Sequence, residues 1–314
     1  MAEKMSFGGQ GVIEGVMMKS PNYIAVSVRK EDGSIASMHE KLKPKSKLSK
    51  IFFIRGIYNL IEMLFIGIKA LIWSGNQAAE EEGKDGKEAK KEEFSTWDII
   101  LLLLTSFGFA LLLFVAIPYV LTIFTGVKEE AQPFIFNLID GIIKIAIFII
   151  YILVISRMND VKRIFQYHGA EHMAVHCNEH KEKLTVENVK KYPTIHPRCG
   201  SSFLMLVFII SILMFSIIPS IVLLFYPSFL SFSFLIQKLI LFPIRILCIP
   251  LIAGISYEVL KFTDKYSKNP VVHVVAMPGL WLQKLTTKKP DDSMIEVAIN
   301  SLSKVIELEK KENT

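Results

Sequence analysis

The uncharged run FLMLVFIISILMFSIIPSIVLLFY at Phe203–Tyr226 decides the fold class of this chain. A helix of about 20 apolar residues crosses the ~30 Å hydrocarbon core of a bilayer. Three further apolar runs are long enough to do so, at Ile99–Phe124, Phe134–Ser156 and Phe229–Phe262. The sequence therefore predicts a mainly α-helical integral membrane protein with about four transmembrane helices, and it leaves open whether the last run is one kinked helix or two.

The composition and the charge agree with a membrane protein. Of the 314 residues, 51% are hydrophobic, and the mean hydropathy of +0.41 is high for a soluble chain. Three cysteines are too few for a disulfide scaffold, so we expect Cys177, Cys199 and Cys248 to be reduced thiols, metal ligands or core residues. The formal net charge of +6 is attributed to basic cytoplasmic loops, and we expect no nucleic-acid partner.

Charges in the connecting segments predict the orientation in the membrane. Residues 1–96 contain 15 Lys and Arg, residues 157–198 contain 8 and residues 258–314 contain 9, whereas Lys128 is the only basic residue between the first two apolar runs. Basic residues concentrate in the cytoplasmic loops of membrane proteins. We therefore expect both termini and a histidine-rich loop at 157–198 to be cytoplasmic, around four spans.

The sequence divides the chain into a membrane domain and several parts that we expect outside the membrane core. The divisions are a β-rich unit at 1–50, an amphipathic interfacial helix at 51–78, a disordered charged linker at 79–96, a membrane domain at 97–262 and a tail with a terminal amphipathic helix at 263–314. Tyr23–Arg29 and Ser34–His39 are typical of two strands in the β-rich unit. In the interfacial helix, Arg55, Glu62 and Lys69 recur every seven residues on one face, so we expect this helix on the membrane surface rather than across it.

The histidines indicate a metal site. Five of the seven histidines and two of the three cysteines lie between residues 168 and 199. In a helix, His168 and His172 lie one turn apart on the same face, where two imidazoles can bind one divalent metal. The sequence His-Gly-Ala-Glu-His also matches the inverted zincin pattern H-x-x-E-H, in which Glu171 would be the general base that activates a metal-bound water.

Further ligands are expected close by. His196 and Cys199 end the cytoplasmic loop before the third apolar run, and imidazole and thiolate suit zinc or another transition metal. An inverted zincin takes its third ligand from a downstream glutamate, and Glu258 should return to the same membrane surface at the end of the fourth run. Glu14 and His176 are additional candidates. The alternative is a structural polar network that ties the helices together.

Six motifs occur in order along the chain. They are Gly-Gly-Gln-Gly-Val-Ile-Glu-Gly-Val-Met-Met (8–18), Tyr-His-Gly-Ala-Glu-His (167–172), His-Pro-Arg-Cys-Gly (196–200), Ala-Gly-Ile-Ser-Tyr-Glu (253–258), Pro-Gly-Leu-Trp-Leu-Gln (278–283) and Pro-Asp-Asp…Ile-Glu-Val-Ala (290–298). This set resembles the YqhQ family of bacterial membrane proteins, which carry a domain of unknown function and are often described as predicted metal-dependent enzymes. The resemblance covers nearly the whole chain. It implies a multi-pass protein of the bacterial plasma membrane and no particular substrate.

These observations favour three hypotheses of function. The first is a hydrolase that depends on a divalent metal such as zinc and acts at the cytoplasmic membrane face on a peptide or lipid-linked substrate. The second is a non-catalytic scaffold or chaperone-like protein that binds another membrane protein and uses the His/Glu/Cys cluster structurally. The third is a transporter whose path is lined by the Asp140–Lys144 pair, Lys238 and Arg245. In each hypothesis the lipid bilayer is a partner.

Overall fold

A computed structural model describes residues 7–44, 46–82, 96–129, 131–267 and 269–312 of the chain. Its strands are β1 (Gly8–Val12), β2 (Gly15–Lys19), β3 (Tyr23–Arg29) and β4 (Ile35–Lys41). Its α-helices are α1 (Ile54–Glu82), α2 (Thr96–Leu111), α3 (Ile117–Ile123), α4 (Pro133–Ile155), α5 (Asn159–Glu179), α6 (Val186–Val189), α7 (Gly200–Phe225), α8 (Phe234–Lys265), α9 (Pro270–Thr286) and α10 (Asp292–Glu312). The described chain is therefore mainly helical and contains one small sheet.

Within the described part of the chain, five helices are long and apolar enough to cross a membrane. They cover Ile54–Ala78, Leu104–Ile123, Pro133–Ile155, Gly200–Phe225 and Leu239–Lys265. Four of these coincide with the predicted runs, and the first is the segment for which the sequence predicts a position on the membrane surface. The number of candidate spans is thus five rather than about four, because the charges of α1 are spaced widely enough to leave long apolar intervals between them.

The candidate membrane helices α4, α7 and α8 pack closely. Gly141 of α4 faces Ile212 of α7 so closely that a Cβ at this glycine would lie 2.1 Å from the isoleucine side chain. From Phe234 onward the last apolar run forms one helix, α8, which continues through Pro243 and Pro250. Helix α9 lies against α7, where Gly279 contacts the first turn of that helix.

Two ion pairs involve charged side chains of these helices that the structure describes. Lys144 forms an ion pair with Asp140 one turn away on α4, as the sequence predicted. On α8, the guanidinium of Arg245 lies 2.6 Å from the buried carboxylate of Glu129, which belongs to the connection between α3 and α4. The side chain of Lys238 lies outside the described residues. Three of the four charged residues that the transporter hypothesis invoked, Asp140, Lys144 and Arg245, are therefore held in ion pairs.

The sheet is an antiparallel meander in the order β1-β2-β3-β4. Gly33 occupies the turn between β3 and β4 with a φ of 82°, a conformation that glycine adopts without steric cost. The turn between β1 and β2 places Glu14 at a φ of 50°, which is unusual for a residue with a side chain. An ion pair with Arg163 of α5 holds Glu14 in this turn and joins the turn to the helix.

Helices cover both faces of the sheet. One face packs on α5 and α10, with a core of Val16, Met18, Ala25, Tyr167, Ala170, Met173, Ala174, Met294, Val297, Ala298 and Leu302 among others. The other face packs on α1, with a core of Val12, Met17, Val26, Val28 and Ala70. Because each fully buried aliphatic side chain contributes roughly 1.5–3 kcal/mol, the first core fixes α5 and α10 relative to the sheet, and the second fixes α1.

The segment predicted as a cytoplasmic tail, 263–314, contains the end of α8 and two further helices. One is α10, which occupies the position of the terminal amphipathic helix expected from the sequence. The other is α9, which was not predicted from the sequence. The linker predicted at 79–96 begins within α1, and most of it, residues 83–95, lies outside the described residues.

Candidate metal centre

Helix α5 carries the predicted metal motif and is enclosed by backbone on two sides. A Cβ at Gly11 of β1 would lie 2.4 Å from the carbonyl oxygen of Ile164. A Cβ at Gly169 would lie 2.2 Å from the carbonyl oxygen of Lys288, in the connection between α9 and α10. Only glycine permits these approaches. The glycine-rich stretch in β1 therefore brings backbone against α5, and the middle of the helix is buried.

Three of the predicted ligands converge beside this helix. The Nε2 atom of His168 lies 3.3 Å from the Sγ atom of Cys199. One ligand atom each from His168, His172 and Cys199 lies within 4.8 Å of the other two. Two imidazoles and one thiolate are a ligand set suited to zinc, and three protein ligands leave one tetrahedral position open. These residues form a group that could hold a metal ion.

Backbone carbonyls fix the orientation of both imidazoles. The Nδ1 atom of His168 lies 3.0 Å from the carbonyl oxygen of Thr286, and that of His172 lies 2.6 Å from the carbonyl oxygen of Thr194. A carbonyl only accepts hydrogen bonds, so each Nδ1 carries the proton and each Nε2 retains its lone pair. Metal-binding histidines commonly show this arrangement, because the Nδ1 hydrogen bond sets the tautomer and the ring position.

Burial sets the protonation of the ligands before any metal is bound. It lowers the pKa of His172 well below its usual value, so this imidazole is neutral at pH 7. Burial raises the pKa of the Cys199 thiol to about 11. The imidazole is thus ready to donate a lone pair, whereas the thiol must release its proton to become a ligand.

Glu171 lies beside the ligand triangle rather than in it. Its Oε2 atom is 3.5 Å from the Nε2 atom of His172, yet its carboxylate is not part of the group whose atoms all lie within 4.8 Å of one another. Burial raises the pKa of Glu171 to about 7, although the backbone N–H of Gly9 donates to the carboxylate and opposes this shift. A carboxyl group that titrates near neutral pH is suited to general acid–base catalysis.

A second group contains His176, Glu179 and His196, whose ligand atoms also lie within 4.8 Å of one another. The backbone N–H of Arg198 donates to Nδ1 of His196 at 3.2 Å, so the neutral ring carries its proton on Nε2. That nitrogen faces Glu179 at 3.4 Å, and the Arg198 guanidinium also pairs with this carboxylate. We interpret this group as a hydrogen-bonded network, because the His196 lone pair and the Glu179 charge are already engaged. His176 and His196 are therefore not brought into the first group.

Two predicted carboxylates are held elsewhere. Glu258 accepts a hydrogen bond from Nε of Arg55 at 2.7 Å and forms an ion pair with the same guanidinium. It is in neither of the two groups found among the described residues. Glu14 pairs with Arg163 and lies 3.3 Å from the hydroxyl of Tyr167. In both cases an arginine from a neighbouring helix neutralises the carboxylate, so Glu258 and Glu14 connect elements instead of completing the cluster.

Sequence reasoning missed several groups that support the centre. The carbonyls of Thr194 and Thr286 and the N–H of Gly9 are backbone atoms, which leave no signal in residue type. Gln283 is fully buried, and its amide accepts from the N–H of His196 and donates to the carbonyl of the same residue. Gln283 is the last residue of the motif Pro-Gly-Leu-Trp-Leu-Gln, but this motif alone does not indicate which residue the amide binds.

The centre lies where the unit that contains the sheet meets the candidate membrane helices. Cys199 is the residue that precedes α7, a candidate span, and its side chain accepts from the N–H of Ser201 in the first turn. The side chains are well shielded: Glu171 and His172 are each 3% exposed, and Cys199 is 7% exposed. The centre is thus a largely buried site at the start of a candidate span, with His168 its most exposed ligand.

Comparison with known proteins agrees with the motifs. A family model described as "Protein of unknown function (DUF1385)" matches residues 51–308. A Bacillus subtilis (strain 168) protein described as "Uncharacterized protein YqhQ" is 35% identical over 318 aligned residues, which cover 97% of this chain and 93% of the relative. No solved structure matches the chain. The resemblance inferred from the sequence is confirmed.

Proposed function

We propose that this chain, which belongs to the DUF1385 family of proteins of unknown function, is a metal-dependent hydrolase of the bacterial plasma membrane. The observation that carries the proposal is the position of Glu171. Its buried carboxylate lies 3.5 Å from His172, next to a three-ligand group but outside it. A fourth ligand within the group would indicate a closed structural site, whereas a neighbouring carboxylate is suited to act on a substrate or a water molecule.

In this proposal each side chain has one task. His168, His172 and Cys199 hold the metal, and the carbonyls behind the two histidines keep both rings in place. A divalent metal supplies Lewis acidity, which polarises a carbonyl or phosphoryl oxygen and makes water more acidic. Glu171 accepts a proton from the attacking water and returns it to the leaving group, as a carboxyl with a pKa of about 7 can do in both directions.

The proposed substrate is a peptide or lipid-linked molecule at the cytoplasmic leaflet. Cys199 directly precedes a candidate span, so the centre would lie at the depth of the lipid headgroups. The basic residues of the flanking segments favour the cytoplasmic side for this surface. A water-soluble metabolite would not require a centre at this depth, whereas a membrane-bound substrate would.

The proposed topology has four spans, with α1 on the membrane surface. One side of α1 follows the sheet: Ala70 is in its core, and Glu62 pairs with Lys19 of β2. The opposite side exposes apolar residues, namely Leu60, Ile61, Leu64, Phe65, Ile68, Leu71 and Ile72. A helix that spanned the bilayer would carry the polar edge of the sheet into the hydrocarbon. A helix in the interface buries the apolar side in lipid and leaves the sheet in water.

Metal content tests the proposal. Purified protein in lipid nanodiscs is loaded with zinc, freed of excess metal and measured by elemental mass spectrometry. We expect about one zinc per chain, lost in His168→Ala/His172→Ala and retained in the control His39→Ala, which changes an exposed histidine of the sheet. A folded wild-type protein that binds no zinc would exclude the metal centre and favour the non-catalytic scaffold.

Catalysis is tested separately with Glu171→Gln, which preserves shape and removes the basic carboxylate. Protein in liposomes is incubated with a bacterial lipid extract and with peptides from digested membrane proteins, and the products are identified by mass spectrometry. We expect a product from the wild type that falls about 10²–10⁴-fold in the variant, while the zinc content is unchanged. A product that forms equally with both proteins would exclude Glu171 as the base.

A further inference from the structure

Helix α9 has three distinct sides. One side is buried against the rest of the protein and carries Gly279, Gln283 and Thr286. A second side is exposed and apolar, with Val271, Val274, Val275 and Trp281. A third side is exposed and polar, with His273 and Lys284. A helix with adjoining buried, apolar and polar sides fits the boundary between a protein, the acyl chains of a lipid leaflet and the headgroups.

The buried side of α9 holds two parts of the metal centre. The carbonyl of Thr286, the last residue of the helix, accepts the hydrogen bond from Nδ1 of His168. Gln283 binds the N–H and the carbonyl of His196, three residues before Cys199, and donates to Ser202 at 2.8 Å. A displacement of α9 would therefore move one imidazole and the loop that carries the thiol. The third ligand, His172, is held instead by the carbonyl of Thr194, which is not part of α9.

The exposed apolar side lies at the level of the membrane. A Cβ at Gly279 would be 2.7 Å from the side chain of Ser202, so α9 crosses α7 in the first turn of that candidate span. Trp281, next to this contact, is 57% exposed, and tryptophan concentrates at membrane interfaces. These positions favour lipid over a protein partner as the occupant of the apolar side.

We propose that α9 binds the acyl chains of the leaflet next to the metal centre and that this contact holds His168 and Cys199 at metal-binding distance. Lipid contact thereby regulates the affinity of the centre for metal. The inference rests on the metal centre of the proposed function and does not depend on its hydrolytic reaction. A bilayer that is thinned or removed around α9 weakens metal binding, because the helix loses the surface on which it rests.

Tryptophan fluorescence tests the lipid contact. In Trp73→Phe/Trp97→Phe, Trp281 is the one remaining tryptophan. This variant is placed in nanodiscs of phosphatidylcholine with or without bromine on the acyl chains. We expect strong quenching by the brominated lipid. Fluorescence that is unchanged by bromine would overturn the proposal, and a cross-link from position 281 to a second copy or to another protein would identify the competing occupant.

Metal affinity tests the coupling. Cobalt binding in nanodiscs is followed by the absorption of the thiolate–cobalt bond, with Trp281→Glu compared with its matched control Trp281→Phe. We expect the glutamate variant to bind about tenfold more weakly or worse, as for other changes behind metal ligands, and the phenylalanine variant to bind within twofold of the wild type. Equal affinity in all three proteins would overturn the coupling. If the wild type bound no cobalt, the proposed function would fail, while the quenching result would still decide the lipid contact.

Discussion

Raising the pH from 7.5 to 9.0 should strengthen cobalt binding about thirtyfold in the wild-type protein and leave it nearly unchanged in Cys199→Ala. The reason is the buried thiol of Cys199, whose pKa of about 11 keeps it protonated across this window. Metal binding must expel that proton, so each tenfold fall in proton activity increases the apparent affinity tenfold. Stability of the complex therefore rises with pH and falls as the pH approaches 7.5.

The magnitude follows from the same pKa. At pH 7 the thiol lies about four pH units below its midpoint, which corresponds to roughly 5 kcal/mol that the metal–thiolate bond must offset. His172 contributes no slope, because burial keeps its pKa well below the window and the ring stays neutral. Glu171, with a pKa of about 7, is largely ionised above pH 7.5 and contributes little.

The assay is competition for cobalt against a chelator of known pH dependence, with the release of protons measured by calorimetry in two buffers. We expect one proton released per cobalt in the wild type and in Glu171→Gln, and none in Cys199→Ala. A wild-type affinity that does not change with pH would refute the reasoning. So would a slope that persists in Cys199→Ala, since the proton would then come from another group.

Two further predictions concern the sheet and α1. Gly11→Ala should lower the stability of the protein by about 1–3 kcal/mol, because its Cβ would meet the backbone of α5, while Gly8→Ala has open space and should be neutral; thermal unfolding in detergent compares the two. Spin labels at Leu64 and Ile72 should report equal, shallow membrane depths by power-saturation electron paramagnetic resonance, and a label at Leu213 of α7 should report a greater depth. Depths that increase along α1 towards the bilayer centre would instead indicate a fifth span.

Features that depend on neighbouring residues could be predicted from the sequence. The apolar runs of α4 and α7 are long enough to be recognised by themselves. His168 and His172 lie on one helix, so helical periodicity alone placed them on the same face. Cys199 precedes an apolar run, and this position predicted that it would lie at the same membrane surface as the two histidines.

Features that depend on distant residues could not be predicted in the same way. Glu258 has the residue type and the depth of a ligand, but Arg55, 203 positions earlier in the chain, neutralises it. The separation of His196 from the first group depends on a backbone N–H that residue type does not reveal. For α1 the pattern of charges indicated one polar face. The sequence could not show that Glu62 and Lys69 on this face form ion pairs with the sheet.

The helices that cover the two faces of the sheet are synthesised later than its strands. Strands β1–β4 are complete once the ribosome has passed residue 41, but α10, which covers Val16, Met18 and Ala25, begins only at residue 292. At about 5–20 residues per second, translation needs roughly 12–50 s to cover this distance. During that time the candidate membrane helices are synthesised while one apolar face of the newly made sheet lacks α10. Without α10 this apolar face of the sheet stays partly uncovered, so we expect loss of the last helix to send the nascent chain to degradation rather than to the membrane.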